Sequence, residues 1–306
     1  VEPRILWYSK LLLVSSPIQR AIVSKIEALF SDLDNGIANF KKAQAQLKIY
    51  RQAVLKKAFE GYSKLTNVGD EFDFVGGGTP SKANSDYWNG ELYWCSVKDV
   101  KGDCLHRTID KITRKGLNES ASNLVQPEEV ILITRISPGK TIISKVETAI
   151  NQDLKVVKPK REYLPKLIHY LFQAYQREII KLSSGTTVLG INLTNLKSIE
   201  IPFLSSQEQI QIVQEIESRL SVCDKMEQSI NESILKAEAL RQSILKKAFE
   251  GRLLSKAEIE QCKTAADYEP ASELLKKIKA EKLTKEEALR QVQGKKKIII
   301  KNKSKK

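Results

Sequence analysis

Arginine, lysine and small hydroxyl side chains gather in three turn-rich stretches of this sequence. The first runs Val75-Gly76-Gly77-Gly78-Thr79-Pro80-Ser81-Lys82, with Trp94-Cys95-Ser96-Val97-Lys98 a little further on. The second is Thr134-Arg135-Ile136-Ser137-Pro138-Gly139-Lys140-Thr141, set between two apolar runs. The third is Lys181-Leu182-Ser183-Ser184-Gly185-Thr186-Thr187. A guanidinium can bond a guanine edge through two parallel donors, while lysine serves phosphate. Hydroxyls and backbone amides in turns also suit phosphate oxygens. The candidate contacts to nucleic acid are therefore Thr79, Ser81, Lys82, Lys98, Arg135, Lys140, Lys181, Ser184, Thr186 and Thr187. Any one of them could be an ordinary solvated loop residue, so the expectation rests on the three loops together. Trp88 and Trp94 read as packing residues rather than platforms for bases.

Catalytic readings of the same stretches are weaker. The glycine run follows a strand, as a phosphate loop would, but Pro80-Ser81-Lys82 does not complete G-x-x-x-x-G-K-[ST], and no G-x-G-x-x-G opens a helix there. Asp153-Leu154-Lys155 has the D-x-K shape of a nuclease, with Glu128 upstream, but no second strong acidic partner flanks it. His106 and His169 are the only histidines and stand apart, which gives a nucleophile no base. A methyltransferase would show a glycine-rich cofactor loop and a proline-aromatic stretch, and neither is present. Cys95, Cys104, Cys223 and Cys262 form no C-x-x-C pair, so reduced thiols and a cytoplasmic protein are expected, with no metal site. No apolar run reaches the ~18–20 residues of a membrane span.

The elements that would carry these loops follow from periodicity. Residues 62–204 alternate short strands with turns. Strands are expected at Asp73–Val75, Leu92–Val97, Val130–Thr134, Thr141–Val146, Leu154–Val157, Leu189–Asn192 and Ser198–Phe203, with one helix over Leu164–Lys181. On either side the sequence repeats. RQAVLKKAFEG at residues 51–61 returns as RQSILKKAFEG at 241–251, and a shift of 190 also superposes Gln19 on Gln209, Ile22-Val23 on Ile212-Val213 and Asp34 on Asp224. Both copies carry apolar residues at three- and four-residue steps over ten or more turns and close on a glycine, Gly61 or Gly251. Helices that long with one apolar stripe need a partner, and each copy is the nearest candidate for the other. Residues Lys10–Ser16 fall under Glu200–Ser206 at the same shift, so residues 1–16 read as the last strand of a preceding domain of the central type.

The expected fold is α+β. One mixed α/β domain at 62–204 is flanked by long helices at 17–61 and 205–251 that pair as an antiparallel coiled coil, and a basic tail fills 252–306. That tail holds +8 of the chain's net charge of +14 and ends in a lysine-rich run, which can add non-specific phosphate attraction but cannot read a sequence.

The arrangement resembles the specificity subunit of type I restriction-modification enzymes. The residues that carry the resemblance are Gly77-Gly78-Thr79-Pro80-Ser81-Lys82, Tyr87-Trp88-Asn89-Gly90, Trp94–Asp99, Ser184-Gly185-Thr186-Thr187, Asn192-Leu193 and Ile199-Glu200-Ile201-Pro202. Glu208-Gln209, Ile212-Val213, the two LKKAFEG ends and Glu269-Pro270-Ala271-Ser272-Glu273-Leu274-Leu275 complete the set, which covers nearly the whole chain. The resemblance implies a non-catalytic DNA reader and scaffold. In that plan two recognition domains each read one half of a split target in double-stranded DNA. The helices measure the unread spacer and dock two modification subunits. S-adenosylmethionine is then expected on those adenine methyltransferase subunits, and ATP and Mg²⁺ on separate restriction or motor subunits. This sequence holds one complete recognition domain, so it is expected to be either the C-terminal part of a longer subunit or a half-length subunit acting as a homodimer. The competing readings are a stand-alone nuclease or methyltransferase, and a coiled-coil adaptor with no DNA role.

The repeated helix ends admit a packing reading and a docking one. Arg51, Gln52, Lys56, Lys57 and Glu60 recur at Arg241, Gln242, Lys246, Lys247 and Glu250. Core packing does not require identical outer residues, so docking of two like partners is favoured.

Overall fold

The computed structural model describes residues 14–285. It opens with helix α1 (Ser16–Ala58), whose 43 residues span about 65 Å at 1.5 Å each. The helix ends where Gly61 takes φ +89°, a left-handed conformation that costs glycine little. The chain then alternates short elements: β1 (Leu65–Asn67), α2 (Val68–Glu71), β2 (Phe72–Gly76), β3 (Trp88–Cys95), β4 (Cys104–Leu105), β5 (Asp110–Ile112), α3 (Arg114–Asn118) and β6 (Asn123–Val125). It continues through β7 (Val130–Ile133), β8 (Thr141–Ser144), β9 (Thr148–Ile150), β10 (Leu154–Pro159), α4 (Pro165–Ala174), α5 (Gln176–Lys181), α6 (Leu193–Lys197) and β11 (Glu200–Pro202). The second long helix, α7 (Ser206–Phe249), has 44 residues, and its end is marked by Gly251 at φ +71°. Helix α8 (Lys256–Lys263) follows.

Three sheets organise the residues between the long helices. The largest has the order β2-β10-β7-β8-β4, the second β5-β3-β9-β6, and β1 pairs with β11. Most pairings are antiparallel, but β3 runs parallel to β9 and β4 parallel to β8. Strands β7 and β8 are buried along their whole length, as their unbroken apolar and threonine-serine composition dictates. One face of the large sheet packs Val130, Leu132 and Val157 against Leu167, Leu171 and Phe172 of α4. The same core takes in Leu55 and Phe59 from the end of α1 and Ile212, Val213 and Ile216 from the start of α7.

The chain forms two compact units, residues 44–228 and the described residues before and after them. Both contain a stretch of α1 lying antiparallel to a stretch of α7. In the first, Arg51 bonds Asp224 at 2.6 Å and Glu227 at 2.9 Å. In the second, Arg241 pairs with Asp34 and lies 4.8 Å over the Phe30 ring. The shift of 190 residues carries one arginine–aspartate pair onto the other, so the sequence repeat recurs as a repeated contact within each unit. In the second unit, α8 is fixed to the start of α1. Lys25 bonds both carboxylate oxygens of Glu258, at 2.7 and 2.8 Å, and Arg20 bonds both of Asp267, at 3.0 and 2.7 Å.

Some expectations are corrected. The helix read over Leu164–Lys181 is two helices meeting at Tyr175, whose ψ of 8° lies outside the helical range. The strand read at Leu189–Asn192 is not a strand. Gly190 makes isolated bridges to Arg135 and Ser184, and Asn192 turns away to cap α6. Strands β1, β4, β5, β6 and β9 were not foreseen: each has three residues or fewer, too short for alternation to show. Arg51 and Arg241, read as outer residues, are engaged between the helices, so their recurrence has a packing cause. The expected strand at 1–16 lies almost wholly outside the described residues, as does the lysine-rich run at the end of 252–306.

Candidate nucleic-acid interface

The glycine loop after β2 is shaped by close approach. A Cβ on Gly77 would lie 2.1 Å from the Ile150 carbonyl oxygen, and one on Gly78 would lie 2.6 Å from Ala121. The Gly78 amide donates to Ile150 O at 3.0 Å, so this amide is engaged in the fold and is not free for a phosphate as the sequence suggested. What the loop exposes are the side chains of Thr79, Ser81 and Lys82. Two tryptophans buttress it from below. Trp88 Nε1 donates to Ser81 O and Trp94 Nε1 to Gly78 O, and the two rings meet edge to face at 5.2 Å. Both are packing residues in this sense. With Thr79, Lys82, Lys98, Asn151 and Gln152 they line an open cleft.

The second loop joins β7 to β8. Its base is closed by Ile133 N to Lys140 O at 2.8 Å and Gly139 N to Ile133 O at 3.0 Å. This leaves Arg135 and Lys140 exposed at the surface. Ile136, exposed beside Arg135, has φ +75°, a genuine strain for a β-branched residue, and its amide is held by Leu189 O at 2.8 Å. The third loop is a narrow turn in which Ser184 and Gly190 exchange both backbone hydrogen bonds at 2.9 Å. Gly185 sits at φ +128°, and a Cβ there would lie 2.1 Å from Val188 O, so only glycine fits the turn. Ser184, Thr186, Thr187 and Lys181 are all exposed.

A short turn between β9 and β10 links these loops, and the sequence did not single it out as a site. In Asn151-Gln152-Asp153 the Gln152 Oε1 accepts from Thr79 Oγ1 at 2.5 Å. The Asp153 carboxylate, almost buried, meets Arg135 Nη1 at 3.1 Å. Arg135 is in turn bridged to Gly190 of the third loop. Contacts therefore run in series from Thr79 through residues 152, 153 and 135 to 190 and 184. All ten predicted residues are exposed, and this chain of contacts joins the three loops that hold nine of them.

Lys98 is the exception in kind. Its ammonium bonds Asp110 Oδ2 at 2.6 Å, a hydrogen bond that holds its pKa above the ordinary lysine value. Lys82, Lys140 and Lys181 have no carboxylate partner among the described residues. Cationic side chains left without internal partners are what phosphate binding needs.

Two buried titratable residues elsewhere in the domain are engaged in the fold. Glu71 is buried, which alone would raise its pKa, but hydrogen bonds from Tyr163 and Arg161 hold it below the usual carboxylate range. His169 is buried, with Nδ1 against Thr141 Oγ1 at 2.9 Å and Nε2 against Asp103 at 3.2 Å. Among the described residues no group of three or more His, Cys, Asp or Glu could hold a metal, and no helix is long and apolar enough to cross a membrane.

An open cleft, exposed cationic loops and a core shared with the helix ends together make up this domain. Comparison with known proteins places that arrangement. Residues 63–236 match the type I restriction modification DNA specificity domain, and the chain belongs to that family. It is 29% identical over 240 residues to the EcoR124I/EcoR124II specificity subunit of Escherichia coli, which covers 76% of this chain and 57% of that protein. It is also 29% identical over 154 residues to the MjaIX specificity subunit of Methanocaldococcus jannaschii, covering 49% of this chain and 35% of that one. The chain thus spans little more than half the length of the first relative and about a third of the second. The fold is shared with a chain from a solved type I R-M system, at TM-score 0.66 and 20% identity over 77% of this chain and 60% of that one. It is shared too with the HsdS subunit from Thermoanaerobacter tengcongensis, at TM-score 0.52 and 21% identity over 77% and 59%.

Proposed function

We propose that this chain is a sequence-reading subunit of a type I restriction-modification complex, and that its central domain, residues 62–204, reads one half of a bipartite target in double-stranded DNA. The observation that carries the reading is the series of contacts through Gln152, Asp153 and Arg135, which joins three loops bearing exposed Lys82, Arg135, Lys140 and Lys181. Family membership supports it, and so do the names of the relatives. On this reading the chain supplies recognition and no catalytic group. The Asp153-Leu154-Lys155 segment, the one nuclease-like pattern, has its carboxylate paired with Arg135 and its neighbour Asn151 rather than with a second acid.

The paired helices would serve as a scaffold. Gln52, Lys56, Lys57 and Glu60, and their counterparts Gln242, Lys246, Lys247 and Glu250, would dock two modification subunits, one at each repeated end. Those subunits would carry S-adenosylmethionine, and restriction subunits would carry ATP and Mg²⁺. The second half of the target would be read by a further recognition domain, in a longer subunit or in a second copy of this chain. The complex would work on DNA in the cytoplasm.

Selection of bound duplexes from a random pool tests this. The chain, alone and with its modification subunits, is expected to enrich one short half-site. Its affinity should fall with salt at a log–log slope of about −0.9 per phosphate contact. Enrichment of no sequence under either condition sinks the proposal. Methyl transfer or cleavage by the chain alone would show that the recognition-only role is wrong.

A further inference from the structure

The geometry points to Asp153 as the residue that positions Arg135, and to Arg135 as a reader of one guanine in the half-site rather than a contact to phosphate. This rests on the DNA-reading function proposed above and goes further, because it assigns a base and a mechanism of discrimination.

Arg135 is held from three directions by segments distant in sequence. Its guanidinium Nη1 lies 3.1 Å from Asp153 Oδ1, while the other oxygen of that carboxylate takes the Asn151 amide at 3.3 Å. Its backbone is bridged to Gly190, and a Cβ at that glycine would come within 3.1 Å of Arg135 Cγ, so the absence of a side chain there makes room for the arginine stem. The peptide on its C-terminal side is fixed by Ile136 N to Leu189 O at the cost of a left-handed isoleucine. Residues in such strained conformations persist where the surroundings over-determine them.

A contact to phosphate does not need this. A phosphate oxygen accepts a point charge from many directions, and Lys82 and Lys140 present theirs without an internal partner. A guanine edge is different: O6 and N7 must both be met by parallel N–H groups in one plane. A guanidinium carries five such donors, and one nitrogen engaged by Asp153 still leaves donors for the base. The Arg135 side chain keeps 51% exposure while the Asp153 side chain has 12%. The carboxylate is therefore placed behind the arginine, and the arginine faces outward. A side chain already held in its reading position loses less freedom on binding than a loose one. The same pair gives little stability, since one partner is half in solvent. This arrangement suits selectivity better than folding.

The test is selection and competition binding with the full chain, scored base by base. Arg135→Ala should lose preference for guanine at one position, by about 10- to 100-fold, and keep the others. Arg135→Lys should keep most of the affinity and lose the same guanine, because lysine cannot form the fork. Asp153→Asn should lose preference at that same position, although it touches no DNA. Gly190→Ala, which leaves both charged residues in place and crowds the arginine stem, should do likewise and guards against a folding defect in the Asp153 variant. Lys140→Ala should weaken all sequences equally. The clamp is overturned if Arg135→Ala weakens all sequences alike, or if Asp153→Asn and Gly190→Ala leave the guanine preference intact. If the unaltered chain enriches no sequence at all, the DNA-reading function fails and the clamp falls with it. Those two failures are therefore told apart by the unaltered chain.

Discussion

The two LKKAFEG ends are the same seven residues in different surroundings. At the first, Phe59 is 5% exposed, packed with Leu55 into a core that includes Val68, Phe72, Leu204 and Ile216. At the second, Phe249 is 64% exposed. Beside it Leu245 and Ala248 form an apolar recess with Ile22, Val23 and Ile26, the residues that the 190-residue shift places on Ile212, Val213 and Ile216. Each helix end thus presents the same kind of seat, and only one is filled by a described domain. The difference teaches that the repeat specifies a surface, while burial is decided by what is placed upon it.

The largest effect that would break this comparison is a single phenylalanine. Phe59→Ala should destabilise by roughly 3–5 kcal/mol, the range for deleting a buried aromatic side chain. Phe249→Ala should cost under about 1 kcal/mol, as at an exposed position. Chemical denaturation of both variants gives the contrast, and equal losses would mean that the second seat is covered. A smaller effect comes from the paired arginines. Arg51→Ala releases two carboxylates, Asp224 and Glu227, and Arg241→Ala only Asp34 with its stacking on Phe30. Losses of about 1 kcal/mol for Arg51 and somewhat less for Arg241 are expected from partly exposed ion pairs, read from the same denaturation curves. If Arg241→Ala proved the costlier, the second carboxylate at Arg51 would carry less than the stacking of Arg241 on Phe30.

The smallest effect is a pH response confined to one end. The hydrogen bond from Lys25, together with those from Ser255, holds the Glu258 pKa down to about 2, and Arg20 lowers that of Asp267. A carboxylate with a lowered folded pKa stabilises above its unfolded value, about 4.3 for glutamate, and loses that contribution as pH falls toward 2. Protection factors of α8 amides, taken against intrinsic exchange at each pH, should therefore fall between about pH 4 and 2, while β7 and β8 keep theirs. Glu258→Gln should quicken α8 exchange at neutral pH and flatten the acid response. No change in either would detach α8 from this pairing.

The parts of this comparison that local pattern can carry were legible in the sequence. The long helices showed in the three- and four-residue spacing of Ile22, Ile26, Leu29 and Leu33, and their ends in Gly61 and Gly251. The loops showed in Ser137-Pro138-Gly139 and in the glycine run. The pairing of the two long helices was legible from their repeat, but individual side-chain contacts between distant segments were not. Asp153 meets Arg135 across a strand pairing, and from the sequence it counted only as part of a D-x-K pattern that was set aside. Gly190 looked like part of a strand because its role is to make room for a side chain 55 positions earlier. Arg51 and Arg241 looked like free surface, since nothing local shows that Asp224 and Asp34 stand opposite.

The pairing of β1 with β11 has a consequence for how the chain assembles. Leu65 sits beside Pro202 and Asn67 beside Glu200, so the chain enters and leaves the central domain on neighbouring strands, about 4.8 Å apart. While that domain is unfolded, bringing α1 and α7 together means closing a loop of well over a hundred residues, an entropic cost that grows with the logarithm of loop length. Once β1 and β11 are paired, the helices are joined by what is mechanically a hairpin turn. Pairing of β1 with β11 therefore removes most of the loop-closure cost that α1 and α7 would otherwise meet.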